Sequence, residues 1–112
     1  MVMPEVDAGL HVEAIKELVS LDRAWVPSGD GSSLYIRPTM IATSPKLGLG
    51  AANNYLHYII TGPAGPYYAE GFNPVSVYVS HAFRRAVHGG VGEAQTGGNY
   101  AASLFCSEDA AK

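Results

Sequence analysis

Glycine and proline, 13 and 7 residues of 112, make up about 18% of this chain where about 12% is average. Where they fall limits the fold more than how many there are. Pro27 with Ser28-Gly29-Asp30-Gly31-Ser32, the stretch SPKLGLGAANN at 44–54, the stretch PAGPYYAEGFNP at 63–74 and the cluster GGVGEAQTGGN at 89–99 interrupt the chain four times. Proline removes a backbone donor and fixes φ, and glycine loses the most conformational freedom on ordering, so such stretches read as turns and loops. The chain must therefore be built from a few short elements. No apolar run approaches the roughly 18 to 20 residues needed to span a bilayer.

Between the interruptions, periodicity assigns the elements. From Gly9 to Trp25, Ala14, Ile15, Leu18, Val19 and Trp25 recur near helical spacing while Glu13, Lys16, Glu17 and Arg23 point elsewhere, which predicts an amphipathic helix with Asp7 as its N-cap. In LYIRPTMIAT, 34–43, Leu34, Ile36, Pro38, Met40 and Ala42 alternate with Tyr35, Arg37, Thr39, Ile41 and Thr43, as in a strand with one mostly polar face. YLHYIITG, 55–62, reads as a strand returning antiparallel to it, and VSVYVS, 75–80, as another strand. The last segment, YAASLFCSEDAAK, favours a helix after a glycine-rich loop. The expected class is α+β, within the broader α/β range, with a helix packed on an antiparallel sheet. No internal repeat is visible.

With 47% hydrophobic, 10% aromatic and 15% charged residues, the composition is that of a globular chain able to form a core. At this length it fits one small domain burying roughly 60 to 65% of its unfolded surface, or part of something larger. A formal charge of −3 gives no electrostatic footprint for nucleic acid or anionic membrane. Cys106 is the only cysteine, which rules out an internal disulfide and suits a reducing, cytoplasmic setting, and the first ten residues lack the pattern of a signal peptide.

Tyr35 and Arg37 project from the same side of their strand, a phenol beside a guanidinium, an arrangement suited to a carboxylate. A wet sheet face with no ligand explains them equally. The glycine cluster suggests anion binding, yet a dinucleotide fingerprint starting at Gly90 would need glycine where Gln95 stands. A P-loop would likewise need Lys-Ser/Thr where Gly98-Asn99 stand, so nucleotide binding is not supported. The four histidines are scattered without metal-ligand spacing, and no serine or cysteine sits in a hydrolase elbow, so metal and nucleophilic hydrolase chemistry have no local signature.

The strings MPEVD, LDRAWVP, LYIRPTMIAT, YYAEGFNPVSVYV and RAVHGGVGEAQTGGNYAASL, in this order, resemble the middle of the branched-chain amino acid aminotransferases, fold-type IV (class IV) enzymes dependent on pyridoxal phosphate. The resemblance runs from about Met3 to Ala111. It implies that residues 1–61 end the family's small substrate-side domain, 62–74 form the interdomain loop and 75–112 begin an incomplete pyridoxal-phosphate domain. It implies amino transfer from leucine, isoleucine or valine to 2-oxoglutarate, in a cytoplasmic homo-oligomer such as a dimer with no nucleic-acid or membrane partner. By position, Tyr35 and Arg37 would face the substrate carboxylate. Leu47, together with Ala64 and Tyr67 of the loop 64–68, would close over the aliphatic side chain. Arg85 would lie near the cofactor phosphate and Tyr100 would hydrogen-bond the cofactor's phenolic oxygen.

The departure is Gln95. Family members carry a lysine three residues before the Gly98-Asn99-Tyr100 motif, and that lysine forms the Schiff base and shuttles the proton. A primary amine has the lone pair for this chemistry, whereas a carboxamide nitrogen has given its own to the carbonyl. Lys16, Lys46 and Lys112 fall outside the motif. The family's complete chains are also much longer, with further phosphate and pyridine-nitrogen contacts outside this stretch. The expectation is a fragment or truncated relative that does not bind the cofactor covalently and is inactive alone. The alternative is a non-catalytic module of the same fold that associates with itself or a partner.

Overall fold

The computed structural model describes residues 2–68 and 71–111, which divide into two compact units, Val2–Phe72 and the chain from Asn73 onward.

The first unit is a helix on a two-stranded antiparallel sheet, as the sequence predicts. Helix α1, Ala8–Leu21, starts where Asp7 accepts the Leu10 N–H at 2.8 Å, so the expected N-cap is present. The helix ends sooner than expected. The Asp22 N–H closes on the Leu18 carbonyl at 2.9 Å, and Arg23–Trp25 forms a single 3-10 turn. Pro27 disfavours helical geometry in the residue before it, and Val26 is accordingly extended. Trp25 thus leaves the apolar stripe and is 75% exposed. The packed face is instead His11, Ile15, Leu18, Val19 and Asp22, all half-buried, at helical spacing.

Strands β1, Ser33–Ala42, and β2, Tyr55–Ala64, pair from Ser33 opposite Ala64 to Ala42 opposite Tyr55. The connecting loop is tied by Ser44, whose hydroxyl donates to the Asn53 side chain at 2.7 Å and accepts the Asn53 and Asn54 N–H groups at 2.8 and 3.0 Å. The Lys46 ammonium donates to the Ala51 carbonyl in the same loop. α1 packs on β2. The His11 and His57 rings lie 5.3 Å apart, and the Thr61 hydroxyl donates to the Asp22 carboxylate at 3.2 Å. Residues directly opposite in an antiparallel pair share a face, so α1 covers the face bearing His57 and Thr61. The other face carries Tyr35, Arg37, Thr39 and Ile41 beside Leu56, Tyr58, Ile60 and Gly62.

In the second unit, helix α2, Gly97–Ala110, begins three residues before the expected Tyr100, with Thr96 as N-cap. Ahead of it the chain is irregular. The strand expected at 75–80 does not form: these residues have no ladder partner among those described, and Val77 and Val79 are 80% and 68% exposed. Alternating valines supply the side chains of a strand, but hydrogen bonds to a neighbour make one. The Phe83 and Phe105 rings, 5.1 Å apart, join the irregular segment to α2.

The hydrophobic core that the composition allows is not found among the described residues. Among the described residues no hydrophobic side chain is fully buried, and Asn99 alone counts as buried. One helix on a two-stranded sheet in the first unit, and one helix beside irregular chain in the second, cannot enclose a side chain on all sides. Among the described residues no helix is long and apolar enough to cross a membrane.

Candidate functional site

Strand alternation puts the Tyr35 and Arg37 side chains together on the face that α1 leaves open. Nε and Nη2 of Arg37 donate to the Tyr35 hydroxyl at 3.3 and 3.1 Å, and the guanidinium carbon lies 5.1 Å from the ring centroid. Opposite Tyr35 stands Gly62, where an added Cβ would meet nothing within 4 Å, so the surface beside the phenol is open. A hydroxyl that accepts from arginine still has its own O–H to donate. The pair therefore presents a cation and a phenolic donor to the same space, the chemistry that suits a carboxylate.

The other residues of the predicted substrate side lie in the loop between the strands, at the end of β2 and just after it. Leu47 is fully exposed in the loop between the strands. β2 continues through Pro63, so Ala64 lies at a strand end opposite Ser33 and not in the loop where the sequence reading put it. Proline is tolerated there because a two-stranded sheet consists of edges. Tyr67, 91% exposed, packs edge-on against Tyr68 with ring centroids 4.9 Å apart.

In the second unit the glycine-rich segment is an ordered turn. The Ala94 N–H donates to the Val91 carbonyl at 3.0 Å, and Nδ2 of Asn99 donates to the carbonyls of Val91 and Ala94 at 2.8 and 2.6 Å. Arg85 is also held here, through Nη1 to the Gly92 carbonyl at 3.3 Å. Gly92 is needed for the close approach: a Cβ on it would run into the Ala86 side chain and come within 3.1 Å of Ala86 Cα. Gln95 follows the turn and is exposed, and Tyr100 is 36% exposed in the first turn of α2. A separate cavity of about 300 Å³, lined in part by Tyr78, His81, Phe83, Phe105 and Cys106, includes none of Arg85, Gln95 and Tyr100.

Sequence reasoning misses Asn99 as a site residue. The signal for it is an amide side chain in the first turn of a helix, just after a glycine cluster, where asparagine commonly bonds local backbone. The His11–His57 contact is missed too, because no local pattern joins residues on different elements.

No family model matches the sequence. It is 49% identical over 102 residues to branched-chain-amino-acid aminotransferase 2 of Bacillus subtilis (strain 168), covering 91% of this chain and 28% of that protein. Identity is 51% over 110 residues with a probable branched-chain-amino-acid aminotransferase of Streptomyces coelicolor, covering 97% of this chain and 30% of that protein. With the branched-chain-amino-acid aminotransferase of Dictyostelium discoideum it is 46% over 110 residues, covering 98% and 29%. The chain thus spans about 30% of the length of the curated relatives it matches. Over nearly all of its length, this chain belongs to the branched-chain-amino-acid aminotransferase family.

Proposed function

We propose that this chain is a piece of the branched-chain aminotransferase scaffold that keeps the carboxylate-recognising strand face and the cofactor-side turn but lacks the covalent chemistry. The observation that carries this reading is Gln95, placed directly after the clamped turn where the family resemblance calls for an amine. Pyridoxal phosphate in the relatives would supply the electron sink for amino transfer. The residues present here do not fit its covalent attachment. Position 95 is a carboxamide, Lys16 and Lys46 fall outside the motif, and the Lys46 ammonium is engaged by the Ala51 carbonyl. No bond-making step with the cofactor is therefore assigned to this chain.

Tyr35 and Arg37 would bind and orient the carboxylate of a branched-chain amino acid or 2-oxo acid, by the guanidinium charge and the free phenolic O–H. Leu47, Ala64 and Tyr67 would contact the aliphatic side chain, and Arg85 and Tyr100 would serve the cofactor side. Arg85, bonded to Gly92, would act there by holding the turn unless it exchanges that carbonyl for a phosphate.

The test is to add pyridoxal phosphate to the purified chain, reduce with borohydride and map the peptides by mass spectrometry. The expected result is no lysine labelled above the others. High-yield labelling of one lysine would mean that another amine has taken over the position, and would overturn the proposal.

A second reading, a module that associates with copies of itself, is favoured by the lack of any fully buried hydrophobic side chain among the described residues. Solution mass as a function of concentration tests it.

A further inference from the structure

We propose that Asn99 is the positioning residue for position 95, fixing the direction in which any side chain there is presented. The inference rests on the reading above that position 95 is where the family resemblance calls for an amine. Its geometric part stands without that reading.

The Ala94 carbonyl belongs to the same rigid peptide plane as the Gln95 nitrogen, so holding that oxygen fixes the plane entering residue 95. Asn99 holds it from its side chain at 2.6 Å. The Asn99 backbone N–H donates to the Thr96 carbonyl at 3.1 Å, which fixes the plane leaving residue 96. One residue therefore pins both ends of the dipeptide 95–96, leaving only the four dihedrals between the two planes. The second hydrogen of the same Nδ2 goes to the Val91 carbonyl at 2.8 Å, which closes the turn behind it. Asn99 is also the one residue counted as buried among those described, at 7% exposure, so these bonds are shielded from competing water.

The chemistry selects asparagine. Two carbonyl oxygens facing one side chain require two hydrogens from one nitrogen, which an amide provides. An ionised aspartate has the same shape and no hydrogen, and would set a negative oxygen against two carbonyls. None of these bonds involves the side chain of residue 95. The framework is therefore independent of whether glutamine or an amine stands there, and the sequence can have lost the lysine without losing the geometry that aims it.

The experiment measures N–H residual dipolar couplings in the full chain, unsubstituted and as Asn99→Asp and Asn99→Ala. The Gln95 N–H vector lies in the plane that Asn99 holds. The expected result is that its coupling falls toward zero in both variants while those of Ala102 and Cys106 in α2 are retained. An unchanged Gln95 coupling would overturn the proposal. Loss of every coupling in α2 would also overturn it, since Asn99 would then support the helix and not a direction.

A second measurement adds Gln95→Lys to each background, with pyridoxal phosphate and borohydride as the probe and Lys16 and Lys46 as internal references. The amine introduced at position 95 is expected to be labelled selectively, about tenfold over the references, with selectivity lost when Asn99→Asp or Asn99→Ala is added. Selectivity that survives both changes would overturn the positioning role. Absence of selectivity in Gln95→Lys alone, with the coupling result as expected, would overturn the scaffold reading and leave the role of Asn99 standing.

Discussion

A phenol that accepts from a neighbouring guanidinium gains order and keeps its donor, and on the reading proposed above Tyr35 and Arg37 serve recognition and are not needed for folding. Their hydrogen bonds lie on the exposed face, with Tyr35 45% exposed, and exposed polar contacts contribute little to stability. Replacing both, Tyr35→Phe with Arg37→Met, is expected to change unfolding free energy by less than about 1 kcal/mol in a urea titration. A larger loss would make the pair structural. What can be read from sequence at this scale is whatever local geometry decides. Alternation alone brings Tyr35 to Arg37, and a cap rule places Asp7. The Thr61–Asp22 bond, 39 residues apart in sequence, and the His11–His57 contact depend on how the helix returns onto the hairpin, which no short window contains. Asn99 lies between these cases, since its partners are five and eight residues away but only the folded turn aims their carbonyls at it.

Elements divide by where their hydrogen bonds close. α1 satisfies its own backbone, and β1 and β2 satisfy each other across one loop, so pattern is enough to find all three. The ends are harder to place. Pro27 stops α1 earlier than the apolar stripe suggests, and pairing with Ser33 and Leu34 carries β2 past Gly62. Residues 75–80 have the pattern of a strand without a partner within the described residues, and pattern cannot supply one. Their amides are therefore expected to exchange with deuterium at nearly the rate of an unfolded chain, while the paired amides of β1 and β2 are protected. Protection across 75–80 in a dilute sample would show that a ladder partner exists after all.

At the scale of the whole molecule, surface area connects the missing core to behaviour in solution. The accessible surface is 9532 Å², whereas a compact monomer of this 11.8 kDa mass would expose only about 5,900 Å². Large apolar side chains make up part of the excess, among them Leu56 and Ile60 on the open sheet face and Val77 and Val79 in the partnerless segment, each at least half exposed. Apolar surface beside unpaired strand edges favours association. The relatives are about three times as long as the stretch they share with this chain. Two measurements then move together. Solution mass from sedimentation equilibrium should rise with concentration through tens of micromolar. The urea m-value, which scales with the surface exposed on unfolding, should at low concentration be about two thirds of that for a compact protein of equal mass. It should rise as association buries more surface. A chain that stays monomeric across that range with the m-value of a compact domain would mean that it closes a core of its own, and the module reading would fail with it.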